Sequence, residues 1–125
     1  MGIPKVQKQV LFALGQWYNE ANKKIASSPL QIMISKSIFI ELMMRAGIAD
    51  KKERALYKNL EDLEKKKLIS YANKCLALTE KGSKTFEKIQ ADLAPYTKVI
   101  SLVNEKDPLS YSRKVQTVFF ERKTY

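Results

Sequence analysis

The sequence predicts a mainly α-helical protein that carries one small β-hairpin. Three observations in the middle of the chain lead to this fold class. Apolar residues at four-then-three spacing after position 50 indicate an amphipathic helix. Two short apolar runs follow it and are separated by residues that favour a tight turn. As a third observation, Thr79 comes directly after the second run and is a good N-terminal cap for another helix. The order helix, hairpin, helix is therefore the centre of the prediction.

Composition and charge limit the classes of function. The 125 residues suit one domain, and 45% hydrophobic with 29% charged residues is ordinary for a globular protein. Lys and Arg number 23 against 13 Asp and Glu, and this net charge of +10 favours a polyanionic partner. The ordinary alternative is a lysine-rich surface without a particular partner.

The inventory of reactive side chains argues against an enzyme. The chain has no histidine, no glycine-rich phosphate loop and one cysteine, Cys75, which we expect to be a small buried thiol in a strand. We therefore predict no catalytic residue, no metal site and no cofactor. No apolar run reaches the length of a membrane span and the first residues lack a signal-peptide core, so we expect a cytoplasmic protein without membrane contact.

The first helix is predicted from Lys5 to Ala26. A narrower apolar row recurs every seven residues at Leu11, Tyr18 and Ile25, and it either meets another helix or covers the edge of the same core. The run Ser27-Ser28-Pro29 ends the helix because the residue before proline disfavours the α conformation. The residues expected to face the core keep helical spacing: Val6, Val10, Leu14, Trp17, Ala21 and Ile25.

A pair of helices joined by a short turn comes next. Pro29 to Ile34 is a candidate short strand, after which Ser35 or Ser37 caps a helix over Ile38 to Ala46. Nearly all apolar side chains of that helix are expected to face the core. Gly47 ends it, and the two residues after Gly47 complete the turn.

The second helix of the pair is predicted from Asp50 to about residue 67. Asp50 is a good N-cap, and Glu53 stands three residues later, where its carboxylate can complete a capping box. One face of this helix is apolar and the other is basic, as expected for a helix held on a core and open to solvent. The apolar stripe consists of Leu56, Leu60 and Leu63, and the basic residues lying largely opposite are Lys51, Arg54, Lys58 and Lys65.

Two short strands follow, at Leu68 to Tyr71 and at Cys75 to Leu78, joined by Ala72-Asn73-Lys74. Asn73 tolerates the left-handed conformation that a tight hairpin needs. Thr79 then caps a helix.

The last helix is expected to run to about Ala94, where Pro95 interrupts it. Helical spacing returns from Tyr96 to Val103, and after Asp107-Pro108 the tail fits either a helix or a strand. We therefore divide the chain into a domain of residues 1–94 and a C-terminal extension of residues 95–125, which serves dimerisation or packing.

Residues Leu60 to Gly82, LEDLEKKKLISYANKCLALTEKG, resemble the winged-helix superfamily, in particular repressors of the MarR and PadR type. The resemblance includes the end of the recognition helix, a leucine-isoleucine strand, the wing and the LTEKG helix start, and it covers roughly Val6 to Ile89. It implies a winged helix-turn-helix with a C-terminal helical extension, in which helix 50–67 enters the major groove and wing 71–75 lies on the DNA backbone. Where the family has glycine after the recognition helix, this chain has Lys67, which costs roughly 1 kcal/mol in a left-handed C-cap.

Positions carried over from the resemblance define the candidate nucleic-acid site. Arg54 is the strongest candidate for a guanine contact because its guanidinium can donate two parallel hydrogen bonds. Lys36 and Ser37, at the start of the preceding helix, are expected to contact a phosphate through free amides. Each of these residues is equally explained as part of a solvated surface. The remaining candidates are Lys51, Lys52, Tyr57 and Lys58 on the helix and Asn73 and Lys74 at the wing tip.

Three functions fit these observations. The first is a dimeric transcription regulator that binds double-stranded DNA, with a dimer built from the N-terminal helix and the segments after Pro95. The second is a winged-helix module of a larger protein assembly, with Tyr57, Glu61 and Asp62 on a protein-facing surface. The third is a chromatin or RNA-associated protein that relies on phosphate contacts alone. The sequence identifies no small-molecule effector.

Overall fold

The computed structural model describes residues 2–24 and 32–105. This part of the chain is mainly helical with a small three-stranded antiparallel sheet, as predicted. A single turn, Ile48–Lys51, joins the second and third helices. The predictions about a helix end at residues 26–29 and about the tail at residues 107–125 lie outside the described residues. The elements in order are α1 (Lys5–Lys24), β1 (Ile34–Ser35), α2 (Lys36–Arg45), α3 (Glu53–Lys65), β2 (Ile69–Ala72), β3 (Cys75–Leu78) and α4 (Glu80–Glu105).

The chain divides into two compact units, Met1–Ala91 and Asp92–Tyr125. The first unit holds α1, α2, α3, the sheet and the beginning of α4. Within the second unit the structure describes residues 92–105, which continue α4.

One apolar core lies inside the first unit, where α1, α2, α3 and the sheet meet. The predicted leucine stripe of α3 is confirmed, because all three of its leucines are buried. Leu11 of α1 is also fully buried, so it belongs to this core. The buried cluster comprises Val10, Leu11, Leu14, Ile34, Phe39, Ile40, Met43, Leu56, Leu60, Leu63, Leu68, Ile69 and Leu76.

Helix α2 is less completely buried than we expected. Ser35 caps it, with its Oγ accepting a hydrogen bond from the Ile38 amide at 3.5 Å. Ile38 and Leu42 are 59% and 40% exposed, so the prediction that nearly all its apolar residues face the core is wrong for these two. Positions four apart share one face of a helix, and in α2 this face points away from Phe39 and Met43 in the core.

The sheet has the strand order β1-β3-β2. The predicted hairpin is confirmed, although its connection is one residue shorter than expected, because Ala72 pairs with Cys75. Asn73 and Lys74 both have positive φ, 53° and 63°, which is the conformation of a two-residue type I′ turn. Strand β1 is short and pairs with β3 through Ile34 opposite Leu76.

Helix α4 begins as predicted at the Thr79 cap. The Thr79 Oγ1 accepts a hydrogen bond from the Gly82 amide at 3.0 Å and donates one to the Lys67 carbonyl at 2.7 Å. Any Cβ at position 82 would overlap the carbonyl oxygen of Leu68, the residue before β2. The close approach of α4 to the start of β2 therefore requires glycine at this position.

The prediction that Pro95 ends this helix is wrong, since α4 continues through Pro95 to Glu105. A proline inside a helix removes a single backbone donor, here the one that would reach the carbonyl of Ala91. The helix is nevertheless continuous on both sides of Pro95.

The start of α3 also differs from the prediction. The helix begins at Glu53 with Lys52 as its N-cap, and no side chain caps it. Asp50 instead lies with Ala49 and Lys51 in a left-handed turn, with φ values of 53°, 58° and 61°. Each such residue costs roughly 1–2 kcal/mol. The apolar side chains of this turn pack against the core, and this packing outweighs the local preference for a capping box.

Candidate nucleic-acid interface

The outer face of α3 presents two basic side chains one helical turn apart. Arg54 and Lys58 are exposed, and neither forms an ion pair or hydrogen bond with any described residue. Their position follows from the buried leucine stripe on the other side of the helix. Lys65 lies two turns further along the same face and is also exposed. The helix therefore offers solvent a row of unpaired cations.

Two more predicted residues lie just before this helix. Lys51 belongs to the left-handed turn and Lys52 is the N-cap of α3, and both are exposed. They are thus placed beside the first turn of α3 rather than on it. The direction of these two side chains is set by the turn and not by the periodicity of α3.

The other flank of α3 is tied to α1 by a polar network around Gln7, which is only 3% exposed. Its Nε2 donates to the Oδ1 of Asn59 at 3.2 Å, and its Oε1 accepts from the Nζ of Lys66 at 2.7 Å. Buried polar groups with satisfied partners specify one arrangement of the elements that carry them. This network therefore fixes α3 against α1 and engages Lys66 away from the row of unpaired cations.

The hairpin tip lies against the start of α2. The Lys36 amide donates to the Lys74 carbonyl at 3.0 Å, directly after the last pair of the β1–β3 ladder. Our expectation that Lys36 offers a free amide to phosphate is therefore wrong, because that donor is already used. Ser37 keeps an unpartnered amide within the described chain, and its Oγ lies 3.0 Å from the Oγ of Ser35.

A cation and two aromatic rings join the hairpin to α3. The Lys36 ammonium lies 5.0 Å from the centroid of the Tyr57 ring and 4.5 Å from that of Tyr71. Both distances are within the range of cation–π attraction. We call this contact of Lys36 with Tyr57 and Tyr71 the Lys36 bridge. Tyr71 was not among the predicted site residues. The feature that could have identified it is a large aromatic side chain paired across the hairpin with the buried Leu76.

The structure thus sorts the predicted site residues into two groups. Lys36, Tyr57 and Lys74 are brought together by the sheet and by the Lys36 bridge, with Ser37 and Asn73 next to them in the chain. The second group is exposed and makes no such contact: Lys51, Lys52, Arg54 and Lys58.

Acidic residues share this surface. Glu61 is exposed and Asp62 half-buried on α3, and neither forms an ion pair within the described residues. Glu61 lies on the same face between Lys58 and Lys65, so it separates Lys65 from the pair formed by Arg54 and Lys58. The strongest positive potential is therefore expected at the N-terminal half of α3.

The described residues include neither a cluster of metal ligands nor a membrane-spanning helix. No group of three or more His, Cys, Asp or Glu side chains there could hold a metal ion. None of the described helices is both long and apolar enough to cross a membrane.

No protein family, curated protein or solved structure matches this chain.

Proposed function

We propose that the protein is a dimeric transcription regulator of the winged helix-turn-helix type, which places α3 in the major groove of double-stranded DNA. The observation that carries this proposal is the exposed, unpartnered pair of Arg54 and Lys58 on a helix whose opposite face is buried. The major groove is about 12 Å wide and admits one α-helix. From there the Arg54 guanidinium can donate two hydrogen bonds to a guanine, and Lys58 can reach the next base or phosphate.

The elements around α3 support the same placement. Helix α2 and the Ile48–Lys51 turn precede it, as the first helix and turn precede the recognition helix in a helix-turn-helix. The hairpin of β2 and β3 would be the wing, with Asn73 and Lys74 exposed at its tip. This tip is two residues long, so its role is to contact the phosphate backbone beside the groove.

The dimer is proposed from the second unit. Its described helix exposes large apolar side chains that a second copy would cover. A two-fold dimer of such motifs reads half-sites about one turn of DNA apart, near 34 Å. The exposed residues are Tyr96, Val99, Ile100, Leu102 and Val103.

The test is a duplex-binding titration of matched variants. A duplex enriched from a random-sequence pool is titrated with the wild-type protein and with Arg54→Ala, Lys58→Ala and the double variant. Because each side chain contacts a base edge or a phosphate, we expect a combined loss of about 2–6 kcal/mol with an unchanged melting temperature. The control is Lys98→Ala, an exposed lysine in the second unit, which should bind as the wild type does.

Three other results would change the assignment. An unaltered affinity of the double variant would remove α3 from the interface. Binding with steep salt dependence but without enrichment of any sequence would favour a non-specific nucleic-acid protein. Absence of binding at about 0.15 M salt would favour the protein-interaction module, with Tyr57, Glu61 and Asp62 as its surface.

A further inference from the structure

We infer that Lys36 is a positioning residue of the interface, which holds the hairpin tip against α3 through Tyr71 and Tyr57 and does not itself bind phosphate. The consequence for nucleic-acid binding rests on the proposed function. The Lys36 bridge itself is a property of the free protein, so it can be measured without any ligand.

Lys36 contacts three elements at once. Its amide donates to the Lys74 carbonyl at the hairpin tip. Its ammonium lies near the ring of Tyr71 on β2 and near that of Tyr57 on α3. Among the candidate lysines it alone is half-buried, since Lys51, Lys52, Lys58 and Lys74 are exposed. A single side chain and its own amide therefore join α2, α3 and the hairpin.

The tip of the hairpin has few contacts besides those of Lys36, although β1 pairs with Leu76 and Cys75 beside it. Strand β2 is at the edge of the sheet, and its residues Ser70, Tyr71 and Ala72 are exposed. Strand β1, which flanks β3 on the other side, is only two residues long. Buried Ile69 and Leu76 hold the strands on the core, but Ala72, Asn73 and Lys74 at the tip are exposed. Contacts of Lys36 thus decide where Lys74 stands relative to the basic row of α3.

The same contacts make Lys36 a poor phosphate ligand. Its amide is occupied, and a phosphate that drew the ammonium away would remove its attraction to two rings. Lys74, one residue from the strand, has an exposed ammonium without such partners. At the hairpin, Lys74 is therefore the residue that contacts phosphate, and Lys36 sets the position of Lys74.

The first experiment observes the bridge in the free protein by NMR. Protons on the Lys36 side chain near two ring faces are shifted upfield by the ring currents. We expect Tyr71→Leu to move these resonances toward the values of an exposed lysine, whereas Tyr71→Phe keeps the ring and leaves them shifted. Lys88, exposed on α4, provides the reference values for an unengaged lysine. Lys36 resonances that match those of Lys88 in the wild type would overturn the inference.

The second experiment follows duplex affinity. Lys36→Met and Tyr71→Leu should each weaken binding by about fivefold to thirtyfold, which corresponds to the loss of a cation–π contact. The double variant should be no weaker than the weaker single variant, because both changes break the same bridge. Lys36→Arg should restore most of the affinity, since a guanidinium also lies well over aromatic rings. Lys88→Met serves as the control for a lost positive charge.

Two results of the binding experiment contradict the inference. One is wild-type affinity of Tyr71→Leu beside a weakened Lys36→Met, and the other is a double variant whose losses multiply. Either would make Lys36 an independent phosphate contact. A wild-type protein that binds no duplex would remove the proposed function, and the NMR resonances alone would then decide about the bridge.

Discussion

Two helical stretches of this chain carry apolar stripes with identical spacing and opposite exposure. In α3, Leu56, Leu60 and Leu63 are at most 2% exposed. In the second unit, Tyr96 and Ile100 are 68% and 60% exposed, and Val103, three residues later, is also exposed. Both stripes follow a four-then-three pattern, which places each set on one face of its helix.

The difference shows that periodicity identifies an apolar face without identifying what covers it. The stripe of α3 is covered by α1, α2 and the sheet of its own unit. The described helix of the second unit carries few charges, namely Asp92, Lys98 and Glu105, although the whole chain has a net charge of +10. A face with so little charge can approach a second copy of itself without strong repulsion. The proposed dimer follows from this property.

The largest effect is expected from a substitution in the exposed apolar stripe of the second unit. Ile100→Lys puts a charge into the proposed seam of both copies, and burial of an isoleucine stabilises by about 1.5–3 kcal/mol per side chain. We therefore expect the dimer dissociation constant to rise by more than about a hundredfold in sedimentation equilibrium. Ser101→Lys is the matched control, because it adds the same charge one residue away, off the stripe. A wild-type chain that stays monomeric at all concentrations would refute the proposed seam.

A second prediction compares truncation in the two stripes. Leu60→Ala leaves a cavity in the core and should lower the free energy of unfolding by about 2–5 kcal/mol. Ile100→Ala should change it by less than about 0.5 kcal/mol in dilute, monomeric protein, since an exposed side chain loses little by truncation. Urea unfolding followed by the fluorescence of Trp17, which packs against the core, measures both. Equal losses would mean that the two stripes are equally buried.

The smallest expected effect concerns backbone strain, in which the two units also differ. Every described residue other than glycine with positive φ lies in the first unit, where tight turns join packed elements. Lys67, with φ of 63°, follows α3, and Lys67→Gly should stabilise the protein by about 1 kcal/mol. Lys65→Gly, in the last turn of the helix, should instead destabilise it by about 1 kcal/mol. Chemical denaturation measures both, and a shared sign would show that Lys67 is not strained.

Local signals predicted much of the fold. Thr79 caps α4, Gly47 has the left-handed conformation with which it ends α2, and Asn73 occupies the hairpin turn, as their chemistry indicates. The prediction failed at Asp50, where packing of the neighbouring turn residues overrides a good capping signal. It failed again at Pro95, because one missing hydrogen bond does not end a long helix.

The candidate site shows the same division. The exposure of Arg54 and Lys58 was predictable, because it follows from the leucine stripe of their own helix. The role of Lys36 was not, since Tyr57 and Tyr71 are distant in the sequence and meet it only through the pairing of β1, β2 and β3. Nothing within a few residues of Lys36 indicates that its ammonium faces two aromatic rings.

By itself the sequence determined the order of the helices and the hairpin and which face of each helix is apolar, because capping, turn chemistry and periodicity act over about four residues. Only the tertiary structure decided which apolar stripe is covered and which cations stay unpartnered. These outcomes depend on contacts between residues far apart in the chain, and every such contact requires the elements to be packed first.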